Sequence, residues 1–242
     1  MEVFQLGSFQ IRSDWVYLII TIALGMTATK LYLKKKAPSD LPYLDVFGNA
    51  ILLAFVLWKL SPIITQPDLL INPFVILVTP GTPNGLSIGI LGAVIYGALT
   101  IQKKKLPWRK VLDALLFGSM CAIFIYSITH WRYGTQTMMP WGISLSDSAY
   151  RYHPINVYQA LLLGILIGRA YMKPYGIGKV AYTGIIGIGI STLAISLVMP
   201  KLASWYGLTA SQWYSIILLG VGLWIYFIVN LKGGQVHESR AD

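Results

Sequence analysis

Apolar residues in this chain form long stretches, and short runs of lysine and arginine interrupt them. A stretch of about 20 apolar residues is long enough to cross the hydrocarbon core of a bilayer as an α-helix. Seven stretches approach this length, so the pattern predicts an all-α, polytopic membrane protein with seven transmembrane helices. The predicted spans are Trp15–Leu33, Leu44–Leu60, Leu86–Ile101, Val111–Ile128, Ile155–Met172, Val180–Met199 and Trp213–Leu231.

One further apolar stretch, Leu69–Val78, is shorter and contains Pro73. A helix of this length cannot cross the hydrocarbon core. Backbone groups at membrane depth must also be satisfied within the protein, which limits where an interrupted helix can lie. We therefore expect a short re-entrant or interfacial segment here.

The basic residues are distributed unevenly between the two sides of the predicted bundle. Because cytoplasmic loops of membrane proteins carry an excess of Lys and Arg, we predict that the N-terminus lies outside and the C-terminus inside. Residues 232–242 then form a short cytoplasmic tail, and residues 1–242 a single integral membrane domain. The predicted inner loops hold Lys34–Lys36, Lys103–Lys105, Arg109, Lys110, Arg169, Lys173, Lys179 and Lys232, whereas the outer loops keep Arg12, Arg132, Arg151 and Lys201.

Composition agrees with this interpretation. The apolar share is 55% and the charged share 12%, against roughly 45–50% and 25% in soluble domains. These values exclude an ordinary soluble enzyme and a disordered chain, and the lone Cys121 excludes a disulfide scaffold. The net charge of +10 could indicate nucleic-acid binding. The basic residues lie mostly at the ends of the predicted spans, which indicates a role in membrane orientation instead. We therefore expect no nucleic-acid partner.

The predicted outer loop at residues 130–154 has an unusual composition. It contains His130, Arg132, Arg151 and His153 among Trp, Tyr and Pro residues. Guanidinium groups bind phosphate bidentately, and imidazole can accept a proton near neutral pH. The loop could therefore form an anion clamp with a base beside it. The alternative is that these residues only contact lipid headgroups at the interface, without chemistry.

The pair His153–Pro154 precedes the fifth predicted span. Proline is favoured in the first turn of a helix, and the N-terminal end of a helix favours anions. Tyr158 and Gln159 follow about one turn later and are expected to face the same cavity. The alternative is that His153 acts only as a cap or an interface residue.

Other candidate residues carry weaker signals. Asp113 is expected to pair with Lys105, Arg109 or Lys110. The glycine-rich segment 84–92 predicts close helix packing, and it also allows close approach to a lipid, for which we add Asn84 and Ser87 as candidate binding residues. The sequence has neither clustered metal ligands nor a glycine-rich phosphate loop followed by Lys. We therefore expect neither a metal nor another cofactor.

Several segments, taken in order, resemble the prolipoprotein diacylglyceryl transferases, bacterial seven-span enzymes that move diacylglycerol from phosphatidylglycerol to a lipoprotein cysteine. The segments that carry the resemblance are Phe4–Arg12, Gly85–Ile88, Leu106–Asp113, Pro140–Ile143 and Arg151–Pro154 with Tyr158. The resemblance implies a bacterial plasma membrane location. It also implies phosphatidylglycerol or another anionic phospholipid as a partner, with a prolipoprotein signal peptide as a candidate second partner.

The chain departs from the family pattern at four places. Gly89–Gly92 stands where the family has a histidine followed by two glycines, and Tyr126–Gly134 stands where it has Gly-Arg-x-Gly-Asn-Phe. The sixth span, Val180–Met199, lacks the family's arginine and glutamate, and the large insertion outside the membrane is missing before Tyr150. These departures keep two functional hypotheses open.

The first hypothesis is a diacylglyceryl transferase or a related lipid-processing enzyme. Arg132 and Arg151 would bind the phosphate, His130 or His153 would act as the base, and Tyr133, Tyr158 and Gln159 would orient the headgroup. The second hypothesis is an inactive homologue that binds phospholipid or lipoprotein as an accessory protein. A small-solute transporter or channel is less favoured, because the predicted spans hold few ionisable residues beyond Lys30 and Asp113.

Overall fold

The computed structural model describes residues 3–6, 9–71, 73–145, 147–200 and 205–238. Helices dominate these residues and occupy α1 Ser13–Lys36, α2 Tyr43–Leu60, α3 Pro62–Thr65, α4 Pro73–Val78, α5 Pro83–Lys103, α6 Trp108–Thr129, α7 Ile155–Met172, α8 Lys179–Ser196 and α9 Ala210–Glu238. Short strands occupy β1 Val3–Leu6, β2 Phe9–Arg12, β3 Tyr133–Gln136, β4 Ile143–Ser144 and β5 Arg151–Pro154. β1 and β2 pair as an antiparallel hairpin just before α1.

Seven of the described helices are long and apolar enough to cross a membrane. They coincide with the seven spans predicted from sequence, and the sixth ends at Ser196, three residues earlier than predicted. The shortest have 18 residues, a length of about 27 Å at the rise of an α-helix. The protein is a multi-pass membrane protein. Its N-out, C-in orientation remains a prediction.

The elements group into two compact units. The first unit comprises residues 1–36 and 112–242, and the second comprises residues 37–111. The first contains α1, most of α6 and the helices α7 to α9, whereas the second contains α2 to α5. The single domain predicted over the whole chain remains a prediction.

Small residues bring α2 and α5 together in the second unit. A side chain on Gly89 would collide with the carbonyl oxygen of Ala54, and one on Gly85 would collide with the Ser61 hydroxyl. Thr82 caps α5 by accepting a hydrogen bond from the Gly85 amide over 2.9 Å. The glycine-rich start of α5 therefore packs closely against α2, as the sequence predicted.

The stretch predicted to be too short to span forms two small pieces. A 3₁₀ turn covers Pro67–Ile71, and α4 covers Pro73–Val78. A six-residue helix is only about 9 Å long. This segment therefore cannot cross the bilayer, which is the property that the sequence predicted.

One buried cluster of the first unit lies between α8 and α9, where Ile185, Ile225 and Val229 pack together. Elsewhere in this unit, α1 and α6 also approach closely. A side chain on Gly118 would collide with the Thr29 hydroxyl, and one on Gly25 with Ala122. Small residues thus allow these helices to pack closely, as is common in membranes.

The prediction for Asp113 is wrong. Its carboxylate accepts backbone hydrogen bonds from Gly176 and Gly178 at 2.8 and 3.0 Å and from Ala181 at 2.7 Å. Both glycines adopt φ near +90°, which aims their amides at the carboxylate and which other residues rarely adopt. Asp113, on α6, therefore caps the N-terminus of α8. Lys110, one of its predicted partners, instead forms an ion pair with Asp40 at 3.1 Å.

Candidate functional site in the loop between α6 and α7

The loop between α6 and α7 folds as a three-stranded antiparallel sheet with β5 in the centre. Tyr133 on β3 pairs with Pro154, and Ser144 on β4 pairs with Arg151. Polar and aromatic residues dominate the loop, and Gly and Pro interrupt it, so its sequence carries no clear strand pattern. The sheet was therefore absent from the prediction.

The sheet is attached to the helices at both ends. The amide of Ile155, the first residue of α7, donates to the carbonyl oxygen of Arg132 over 3.0 Å. The amide of Thr135 donates to the carbonyl oxygen of Val198, just after α8, over 2.8 Å. The Thr135 hydroxyl contacts the same oxygen at 3.2 Å. The backbone that carries the candidate residues is thus held against α7 and the end of α8.

His153 belongs to a chain of three hydrogen-bonded side chains. The Trp141 indole N–H donates to the Tyr158 hydroxyl oxygen over 2.9 Å, and that hydroxyl lies 3.0 Å from His153 Nδ1. Because the indole can only donate, the hydrogen of Tyr158 is free to bond to Nδ1. Neutral His153 then carries its hydrogen on Nε2. In this tautomer the ring offers a donor, rather than a base, to a ligand.

Arg151 lies beside this chain. Residues two apart on a strand point to the same face, so Arg151 and His153 share one face of β5. The guanidinium is exposed, and its Nη1 donates to the Pro140 carbonyl oxygen over 3.4 Å. A guanidinium has five N–H donors. This long contact therefore leaves capacity to bind an anion next to His153.

His130 is held in a different way. Its ring stacks on Tyr126 at a centroid distance of 4.1 Å and meets the edge of Tyr17 at 4.9 Å. Its Nδ1 lies 3.4 Å from the Thr129 hydroxyl, whose own hydrogen points to backbone carbonyls at 3.1 and 3.2 Å. Neutral His130 can therefore place its hydrogen on Nδ1, which leaves Nε2 free to accept a proton. The two histidines share no contact partner among the described side chains.

The remaining candidates in the loop are less constrained. Arg132 is exposed and stands opposite Ile155, at the other end of β5 from Arg151. Since β5 rises about 3.3 Å per residue, the two guanidinium groups start from backbone positions roughly 10 Å or more apart. Tyr133 is exposed, and its ring stacks near Trp131. Gln159 is half-buried on α7.

Asn84 and Ser87 lie in the second unit, in the first turns of α5, and both are exposed. They are separated in the chain from every other candidate, all of which belong to the first unit. Their predicted role in lipid binding remains a prediction. The structure instead assigns a packing role to the adjacent Gly85 and Gly89.

Sequence reasoning missed several residues of this loop region. The sequence offered one signal for Trp141, because an indole in a short loop can only donate a hydrogen bond. The identity of its acceptor, Tyr158, depends on how the loop folds. Asn156, in the first turn of α7, is 3% exposed, and its Oδ1 has no hydrogen-bond partner among the described residues. An amide side chain in the first turn of a largely apolar helix was the available signal. An unpaired buried acceptor is costly unless a ligand or water satisfies it.

Comparison with known proteins agrees with the membrane fold. A sequence model of the prolipoprotein diacylglyceryl transferases matches residues 1–228. Relatives named phosphatidylglycerol–prolipoprotein diacylglyceryl transferase include one from Wolbachia pipientis wMel, 27% identical over 62% of this chain and 62% of its own. One from Chlamydia pneumoniae is 28% identical over 63% and 61%. One from Tropheryma whipplei strain Twist is 29% identical over 42% and 47%.

The chain spans less than two thirds of the length of each of these relatives. The family model, by contrast, extends from the first residue through most of α9. The chain belongs to the prolipoprotein diacylglyceryl transferase family.

Proposed function

We propose that this protein transfers the diacylglyceryl group of phosphatidylglycerol, or of another anionic phospholipid, to a cysteine thiol next to a prolipoprotein signal peptide. The reaction would take place at the outer face of a bacterial plasma membrane. Membership of the family supports this proposal. The structural observation that carries it is the pairing of Arg151 with His153 on one face of β5, where Tyr158 and Trp141 fix the imidazole.

The reaction breaks one bond and forms another. The sulfur of the acceptor cysteine bonds to the terminal glycerol carbon of the diacylglyceryl group. The bond between that carbon and the phosphate oxygen breaks, and its electron pair leaves with glycerol phosphate. The thiol must lose its proton, because the thiolate is the nucleophile. The site must therefore supply a base and stabilise a departing phosphate.

The two histidines suit different parts of this reaction. His153 offers Nε2–H to the phosphate, and Arg151 offers guanidinium N–H groups on the same face, so both can stabilise the leaving group. His130 has Nε2 free as an acceptor, which supports it as the base. Arg132 is a second phosphate ligand in this proposal, and Tyr133, Tyr158 and Gln159 orient the headgroup.

The test uses the purified full chain in liposomes that contain phosphatidylglycerol with a labelled diacylglyceryl group. A lipobox peptide with its cysteine serves as the acceptor. We expect a labelled thioether peptide and one glycerol phosphate released per product. Arg151→Ala should lower the rate about 10²–10³-fold. Arg169→Ala, an exposed arginine in the last turn of α7, should not.

The outcome also separates the two functional hypotheses. The departures from the family pattern favour the accessory hypothesis. Phospholipid that binds to the wild type more tightly than to Arg151→Ala, with no thioether product, would overturn the enzymatic proposal. The protein would then be an accessory that binds lipid.

A further inference from the structure

The last turn of α1 carries three consecutive lysines, Lys34–Lys36, all exposed. The ammonium groups of Lys35 and Lys36 lie 5.6 and 4.8 Å from the centroid of the Tyr171 ring. Consecutive residues on a helix do not normally face the same neighbour. Here both reach one ring on α7, so two positive charges lie within about 10 Å of each other.

Few carboxylates described in the first unit are available to neutralise these charges. Among the side chains that the structure describes in the first unit, the acidic residues are Asp113 and Asp147. Asp113 is fully buried and accepts three backbone hydrogen bonds. Asp147 lies in the loop between α6 and α7 and accepts the amide of Ala149. The positive charge over Tyr171 therefore has no acidic partner in this part of the structure.

A buried hydroxyl without a partner lies in the same aromatic cluster. The ring of Tyr32 stacks on Phe117 at 4.0 Å and meets the rings of Tyr171 and Tyr175 at 6.0 and 5.8 Å. Tyr32 is 2% exposed, and its hydroxyl has no hydrogen-bond partner among the described residues. Buried hydroxyls are normally paired. The half-buried ring of Tyr171 thus contacts the ammonium groups of Lys35 and Lys36 and also the ring of Tyr32, whose hydroxyl is unpaired.

This cluster is remote from the proposed reaction. Tyr171 lies at the end of α7, whereas His153 just precedes its first residue. The 18 residues of α7 separate them by about 27 Å. The proposed transferase mechanism uses none of Lys35, Lys36, Tyr171 and Tyr32, so a role for them must be a different one.

We propose that Lys35, Lys36 and Tyr171 form a binding site for the phosphate of an anionic phospholipid in the leaflet at this end of α1 and α7. The two ammonium groups neutralise the phosphate, and the aromatic ring holds them in place through cation–π contacts. Basic pockets between transmembrane helices bind anionic headgroups by the same chemistry.

The test counts phospholipids that remain on the purified full chain by native mass spectrometry after reconstitution with phosphatidylglycerol. We expect Lys35→Gln/Lys36→Gln to retain one phosphatidylglycerol fewer than the wild type, with an affinity about tenfold lower or more. The matched control is Lys103→Gln/Lys104→Gln. It removes the same charge from an exposed basic run at the end of α5, and it should retain the wild-type number.

Three results of this lipid-retention experiment would overturn the proposal. Equal losses in the two double variants would show that positive charge alone attracts the lipid. Phosphatidylcholine has the same phosphate but a neutral headgroup overall, because choline is a cation, so its equal retention would show that the net negative charge of the lipid is not recognised. Displacement of the retained lipid by millimolar inorganic phosphate would identify a free anion as the ligand.

We further expect Tyr171→Phe to keep the lipid and Tyr171→Leu to lose it, because only the former keeps the ring. Loss of the lipid in both, or retention in both, would also contradict the site.

Discussion

The two ends of the first unit use their polar groups in different ways. Beside the turn between α7 and α8, the carboxylate of Asp113 on α6 is fully buried and accepts backbone hydrogen bonds from Gly176, Gly178 and Ala181. In the loop between α6 and α7, side chains bond to one another and leave some ring nitrogens uncommitted, as on His153 and His130. One end satisfies its charge internally, and the other keeps donors and acceptors for a ligand.

Because of this difference, we expect residues at one end of the unit to determine stability and residues at the other end to determine activity. A buried carboxylate bonded to three amides stabilises the fold and has little left to offer a substrate. A histidine fixed through one nitrogen keeps the other for binding or proton transfer. Variants at one end should therefore change stability and leave activity intact, and variants at the other should do the reverse.

The largest effect is expected at the two histidines of the loop. A glutamine amide can replace a hydrogen-bond donor, but it cannot replace a base. We therefore expect His130→Gln to lower the transfer rate about 10²–10⁴-fold, whereas His153→Gln costs about tenfold. Rates with phosphatidylglycerol and a lipobox peptide, compared with thermal unfolding of each variant, test this. A larger loss in His153→Gln would reverse the two assignments.

The second effect concerns the opposite end. Asp113→Ala leaves three amides without their acceptor, two of them buried, and we expect it to lower the free energy of unfolding by about 3 kcal/mol or more. Asp147→Ala is the control, because Asp147 bonds to one amide in an exposed loop. It should cost about 0.5 kcal/mol or less. Unfolding in mixed micelles measures both, and equal losses would refute the contrast between the two ends.

A smaller effect is expected from Tyr158→Phe, which removes the hydroxyl that fixes His153 Nδ1. The imidazole can then place its hydrogen on either nitrogen, and we expect the transfer rate to fall about tenfold. Nitrogen chemical shifts of labelled His153 should change from the Nε2–H form to a mixture of both tautomers. An unchanged tautomer would show that Tyr158 does not set the state of the ring.

The smallest effect is expected from Trp141→Phe. This change keeps an aromatic ring but removes the N–H that donates to the Tyr158 hydroxyl. Because Tyr158 keeps its bond to His153, we expect a loss of a few-fold in rate, roughly 1 kcal/mol or less. A loss larger than that of Tyr158→Phe would show that Trp141 contacts the substrate directly.

The sequence predicted the helices well because bilayer thickness sets the length of an apolar span. Each predicted span lies within or close to an observed helix, and Pro73 begins one of the short helices as a break in the pattern suggests. Asp113 was predicted incorrectly for a specific reason. Its partners are backbone amides more than 60 residues away, and a charge pattern carries no information about amides. Nearby lysines therefore looked like better partners.

The sequence allowed us to predict which residue types belong to the candidate site, but not how they are arranged. His153 and Tyr158 are five residues apart and form a hydrogen bond, whereas the cavity predicted beside them stays a prediction. The part played by Trp141 depends on β4 and β5, whose short strands have no periodic signal. The tautomers inferred for His130 and His153 differ because each ring has a single neighbouring hydroxyl, that of Thr129 and that of Tyr158 respectively. Such detail exists only in the folded loop.

The attachment of Thr135 to the Val198 carbonyl couples the loop to the helix below it. A tilt of α8 would move Val198 and, through this bond, strand β3. Because β3 pairs with β5, the strand of Arg151 and His153 would be displaced as well. Closure of the sheet over a lipid, as a hinged flap closes, would therefore break these hydrogen bonds or move the end of α8 as well.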